Sequence, residues 1–163
     1  MVFQGEVLSV GALLDVARTT PETAQNTRVG LRHTAAQNAA ACRTMLAIDE
    51  PLDACWRFGI LQTLDDYASS SRRGGPDLAA GVFTDEPPRT GSVEVDAAFA
   101  ALAEHLAERD GWPTPAWASD PSRRTTAWYP SVPAIFHADA DQESPEAFRR
   151  RGILITSRSL SRA

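Results

Sequence analysis

The chain contains no lysine. All 16 of its Lys/Arg residues are arginine, set against 21 acids, so the formal net charge is −5 over 163 residues. A net negative surface repels a nucleic-acid backbone, which excludes nonspecific wrapping of DNA or RNA as a whole-surface property. Cysteine is scarce as well: Cys42 and Cys55 stand without a C-x-x-C motif. No apolar run approaches the ~18 residues of a membrane span, and Met1-Val2-Phe3-Gln4-Gly5 has neither the charge nor the length of a secretory leader. The expectation is a cytoplasmic protein with no membrane association, whose two thiols are reduced and buried.

Signatures of known chemistry are also missing. There is no G-x-S-x-G elbow, no G-x-G-x-x-G and no Walker pattern, and Arg73-Gly74-Gly75-Pro76 has no strand before it to form a phosphate cradle. His33, His105 and His137 show no metal-ligand spacing with one another or with the cysteines. Paired carboxylates occur at Asp65-Asp66 and Glu94/Asp96, where the ordinary role is a solvated helix face. No catalytic residue, metal or cofactor is therefore assigned.

What is present is apolar periodicity. At 43% apolar the chain is long enough to bury roughly two thirds of its unfolded surface. Val7, Val10, Leu14 and Ala17 lie at helical spacing, and Thr20-Pro21-Glu22 reads as a cap, a proline at the first helical position and a first-turn acid. The helix starting there runs through an alanine-rich stretch, broken or bent at Gly30, with Leu31, Ala35 and Cys42 in register. Asp49-Glu50-Pro51 opens another, with Leu52, Trp56, Ile60, Thr63 and Tyr67 as its stripe. Residues 70–92, rich in Gly, Pro, Ser and charge, read as a linker or long surface loop with one short helical turn. Val95, Phe99, Leu102 and Leu106 then mark the clearest helix, stopped by Gly111.

From Trp112 to Pro133, prolines at 113, 115, 121, 130 and 133 forbid long regular structure. Its tryptophans are expected to pack as loop anchors. Ser144-Pro145-Glu146 opens a short helix with Arg149, Arg150 and Arg151 in its last turn, ended by Gly152, and Ile153-Leu154-Ile155 follows as an extended packing segment. The predicted fold is mainly α, of about six helices: an N-terminal three-helix group at 1–69, the 70–92 linker, and a C-terminal helix with a Trp/Pro-rich loop module at 93–163. For this length one compact domain overall is the default, and a small helical subdomain packed on a second is the nearest alternative.

Charge is unevenly spread. From Asp77 to Asp110 there are eight acids and two arginines, whereas Phe148 to Ala163 carries five arginines and no acid. An acidic arm and a basic tail attract either each other or two different partners. The candidate partner-binding residues are Glu94, Asp96, Glu104 and Glu108 on the acidic outer face of the 93–110 helix, with Trp112 and Tyr129 as aromatic anchors. Arg28, Arg32 and Arg43, spaced to share one side of a helix, are the candidate phosphate contacts of a DNA-binding alternative.

Glu86-Pro87-Pro88-Arg89-Thr90-Gly91 is followed by Asp96-Ala97-Ala98-Phe99-Ala100-Ala101-Leu102-Ala103-Glu104-His105-Leu106, Pro115-Ala116-Trp117, Trp128 and Ser144-Pro145-Glu146-Ala147-Phe148-Arg149-Arg150-Arg151-Gly152-Ile153. Over about residues 60–163 this pattern resembles a group of small actinobacterial proteins encoded beside nucleotidyltransferase-type toxins. The resemblance implies an antitoxin- or regulator-like role, a toxin as partner protein and no enzyme activity. Some members of that group carry a helix-turn-helix; here the Gly30 region lacks the polar recognition helix that motif requires.

The function expected from the sequence is a non-enzymatic interaction protein that neutralises a partner through the acidic helix face and exposed aromatics. A DNA-binding autoregulator is the first alternative. A small enzyme using His33 or His105 against a carboxylate is the second.

Overall fold

The computed structural model describes residues 9–11 and 30–161. The predicted helix at 7–17 and the predicted start at Thr20-Pro21-Glu22 fall largely or wholly outside those residues. The fold is mainly α, with 61% helix and no strand among the described residues.

Gly30 turns with φ 91°, and helix α1, Ala35–Ala47, begins five residues later. Thr34 caps it reciprocally: its Oγ1 accepts from Gln37 N–H at 3.3 Å, and Gln37 Oε1 accepts from Thr34 N–H at 3.1 Å. Ala35, Asn38, Ala39 and Cys42 form its buried face, while Ala40, Ala41 and Ala47 are exposed. The alanines thus serve as close-approach residues on one side only.

Pro51 precedes α2, Leu52–Cys55, which runs through a π-helical turn, Trp56–Ile60, into α3, Leu61–Ala80. The wide turn directs Trp56, Gly59 and Ile60 inward together. A Cβ on Gly59 would collide with Cys42 Sγ, so glycine is what lets α1 lie against this turn. Asn38 Nδ2 donates to Thr63 Oγ1 at 2.9 Å and to Asp66 Oδ2 at 3.0 Å, which satisfies a buried amide between the two helices.

The expected linker at 70–92 is corrected by the structure. Gly74 (φ −146°) and Gly75 (φ 74°) leave helical geometry, but Pro76 stands at the position where a fresh helical turn tolerates proline, and the chain stays helical to Ala80. A 3-10 turn, Gly81–Phe83, follows, with Val82 and Phe83 fully buried. The composition signal at 70–76 marks a kink, and Ala79, Val82 and Phe83 after it belong to the core.

Helix α4, Val93–Asp110, is the centre of the fold. Ser92 Oγ caps it by accepting from Val95 N–H, and Gly111 ends it in the left-handed region, its N–H donating to Ala107 O at 2.9 Å. The expected stripe of Val95, Phe99, Leu102 and Leu106 is buried, and so is every residue from Val95 to Ala103. Small alanines on the remaining sides allow α1, α3, the π-helical turn and the C-terminal segments to close around it.

The aromatic loop after α4 is pinned residue by residue. Trp112 Nε1 donates to Tyr67 Oη at 2.8 Å, and its ring stacks on Phe83. Trp117, in the 3-10 turn Ala116–Ser119, donates to Phe83 O at 3.0 Å. Trp128 pairs in parallel with Ile153 and packs edge-on against Trp56. The extended segment expected at 153–155 is therefore present, with Trp128 as its pairing residue.

A 3-10 turn, Ala134–Phe136, leads into α5, His137–Glu143, and then α6, Glu146–Arg149. Ser144 links α5 to the tail: its Oγ donates to Ala140 O at 2.6 Å and accepts from Ile155 N–H at 2.7 Å. Buried residues from Ala35 through Ile155 make one continuous cluster, to which the 35–69, 70–92 and 93–155 portions all contribute.

Candidate interaction surface

The acidic face of α4 is occupied by the chain's own groups. Asp96 is buried, with Oδ1 accepting from Thr90 N–H at 2.8 Å and Thr90 Oγ1 at 2.9 Å. Glu94 accepts from Ser92 Oγ at 2.6 Å. Glu104 accepts from Arg150 and Arg151, both at 2.6 Å, and Glu108 accepts from Arg150 at 3.0 Å. The acidic arm meets the basic tail where Glu104 and Glu108 pair with Arg150 and Arg151; of the four carboxylates only Glu108 is largely exposed.

Neither aromatic candidate is a free anchor. Trp112 is a core residue on Tyr67 and Phe83. Tyr129 is half-buried, stacked on His137 at 3.7 Å between ring centroids, and its hydroxyl donates to Asp141 at 2.8 Å. The accepting Asp141 carboxylate holds the Tyr129 phenol above its ordinary pKa.

Of the three arginines assigned to the DNA-binding alternative, Arg28 lies outside the described residues. Arg32 is exposed but precedes the Thr34 cap, so it does not share a helix with the exposed Arg43. The single-helix spacing argument fails at Gly30, where the chain turns. His33 is exposed, and His105 packs edge-on against Phe148, where burial is the main cause of its lowered pKa. Among the described residues no group of three or more His, Cys, Asp or Glu is placed to hold a metal ion.

An unanticipated surface lies at the other end of the aromatic loop. Ser131 takes φ 54°, and its N–H donates to Asp53 Oδ1 at 3.0 Å. His137 Nε2 lies 3.1 Å from Val132 O, and the Tyr129–His137 stack closes the base of this loop. So held, the loop presents Ile135 and Phe136 outward at 80% and 45% exposure. A groove of about 410 Å³ runs beside Phe136, with Val132 and Pro133 also on its wall, Asp139 and Glu143 on the α5 side, and Arg158 on the tail side. A shallower groove, about 420 Å³, lies between the same loop and Asp53.

Glu143 is held below its usual pKa, first by the Ser157 N–H that donates to its Oε2 at 2.7 Å, with Arg158 adding a smaller effect. It stays ionised through the neutral range. The sequence signal for this surface was the Ile135-Phe136 pair directly ahead of the alternating acids of α5. In the primary structure it is indistinguishable from a loop anchor that packs inward.

Comparison with known protein families, with curated proteins and with solved structures finds no match to the chain. Among the described residues no helix is long and apolar enough to cross a membrane.

Proposed function

We propose that this chain is a non-enzymatic, cytoplasmic interaction protein that binds and neutralises a partner protein, antitoxin-like, through the ridge at Ile135–Phe136. One observation carries the reading: two large apolar side chains, Ile135 and Phe136, stand exposed on a loop fixed at its base by Asp53 and His137, and Phe136 borders a groove. A pre-organised loop loses little freedom on docking, so apolar area buried there converts efficiently into affinity. The tryptophans of the proline-rich loop are spent on the core, and Tyr129 is engaged by His137 and Asp141, which narrows the available contact surface to this end. Resemblance to proteins encoded beside nucleotidyltransferase-type toxins supports a toxin as the partner.

The test is co-expression of the tagged chain with the untagged product of the neighbouring gene, followed by size-exclusion chromatography. A stable co-eluting complex is expected, together with relief of any growth arrest caused by the neighbour alone. Elution of the two proteins as separate species sinks the reading. Salt-sensitive retardation of the chain's own upstream DNA, lost in Arg43→Ala, assigns autoregulation instead.

A further inference from the structure

We infer that the groove between the 131–136 loop, α5 and the C-terminal turn takes a short protein segment in which an apolar side chain is flanked by arginine or lysine. This rests on the interaction-protein reading and adds the chemistry of the partner. The apolar component follows from Phe136, Val132 and Pro133, which line the groove, with the exposed Ile135 next to Phe136 in the chain. Its volume, about 410 Å³, holds one large side chain and part of its neighbours.

The flanking charge follows from α5. Asp139 and Glu143 are one helical turn apart and both line the groove. Like charges at this spacing repel, and among the described residues Asp139 carries no ion pair. A cation entering from a partner relieves that repulsion. One further carboxylate, Asp53, is tied to this loop by accepting from the Ser131 N–H.

The opposing cations are fewer. Arg158 lines the tail side of the groove, and Arg149 donates Nη2 to the carbonyls of Gln142 and Ser144. Among the described residues, two carboxylates therefore line the groove against one guanidinium, which favours a basic segment over an acidic one both in encounter and in the bound state. Bound in this way, the apolar residue supplies the anchor and the cations fix its direction.

The probe is a phage-displayed library of random twelve-residue peptides selected on the immobilised full chain. Enriched sequences are expected to carry an aromatic or aliphatic residue within three positions of Arg or Lys. A synthetic peptide of the enriched sequence is expected to bind at least ~10-fold more weakly to Phe136→Ala/Asp139→Arg, and more weakly to the wild type as salt is raised. Both substituted side chains are exposed, and matching circular dichroism and thermal midpoints verify that the variant folds.

Acidic enriched sequences, no enrichment, or binding indifferent to the variant each overturn the inference. A dimer of the chain alone that Phe136→Ala/Asp139→Arg dissociates overturns it too, by making a second copy the occupant. The neighbouring-gene complex is scored separately: if that complex forms but is unaffected by the variant, partner binding stands while the Ile135–Phe136 ridge and this groove both fall as its contact surface, and if the complex is lost with the variant while no basic-apolar peptide is enriched, the ridge stands and only the groove chemistry falls.

Discussion

Arg123 concentrates the residue-scale lesson. Its side chain is 1% exposed, Nη2 donates to Glu86 Oε1 at 2.9 Å and Pro87 O at 2.8 Å, and its guanidinium lies 5.3 Å from the Trp117 ring centroid. Glu86 is 60% exposed, so the partners are unequal. Arg123→Ala is expected to lower unfolding stability by about 2–4 kcal/mol, since it opens a void beside Trp117 and strands a carbonyl. Glu86→Gln should cost less than ~1 kcal/mol, as for a half-solvated pair. Urea midpoints of the two variants measure the difference. Asp110 is held down to about 2, first by Arg109 and also by the Tyr67 hydroxyl that donates at 2.6 Å. Burial first, and then the same contact, push Tyr67 up to about 12. Because the folded Asp110 value lies below the unfolded one, its contribution is present above pH ~4 and is lost as pH falls towards 2. Asp110→Asn should flatten the acid limb of the stability profile by about 1–2 kcal/mol, discounted for the half-exposed Arg109. A chemical-denaturation series from pH 2 to 6 checks this.

At the scale of elements, the decisive contact is the π-helical turn against α1. Gly59 has no room for a Cβ because Cys42 Sγ fills the place, with Phe99 behind it. Gly59→Ala is expected to destabilise by about 1–3 kcal/mol through overpacking. Cys42→Ala in the same chain removes the offending sulfur, so the double variant should recover part of that loss in a thermal melt. If the two single effects simply add, the collision is not the cause. Gly152 offers the contrasting case. Its φ is 77° and a Cβ there would strike the Thr125 carbonyl, which is backbone and cannot be trimmed away. That glycine fixes where α6 hands the chain to the Ile153 segment, and hence where Trp128 finds its pairing partner.

For the whole molecule, α4 is the axle and the C-terminal tail is its outer brace. Phe148, Ile153 and Ile155 are fully buried in the same cluster as Trp56 and Phe99, and Arg151, itself buried, ties Glu104 to Ala118 O. A chain cut before Ser144 would expose those contacts. It is expected to lose cooperative thermal unfolding, whereas the intact protein gives coincident transitions by tryptophan fluorescence and far-ultraviolet circular dichroism. A truncated chain that retains a sharp transition would show that residues 30–143 fold alone.

Short-range signals were legible in the sequence because they depend on neighbours a few positions away. Ser92 as cap, Gly111 as stop, the Val95–Leu106 stripe, Pro145 ahead of α6 and Gly152 after it all stand where local periodicity and capping chemistry put them. The kink at Gly74–Gly75 was read as a terminus, since composition marks a break in a helix without saying whether the chain resumes its direction. Which groups remain available for function was set only by the tertiary structure. Glu104 and Glu108 of α4 and the arginines at 150–151 are more than forty positions apart, and only the packing of α6 on α4 brings them together and neutralises them. Ile135 and Phe136 carry the same apolar signal as the tryptophans that pack inward. Their exposure follows from a loop pinned by Asp53, Tyr129 and His137, contacts that exist only once the chain has folded.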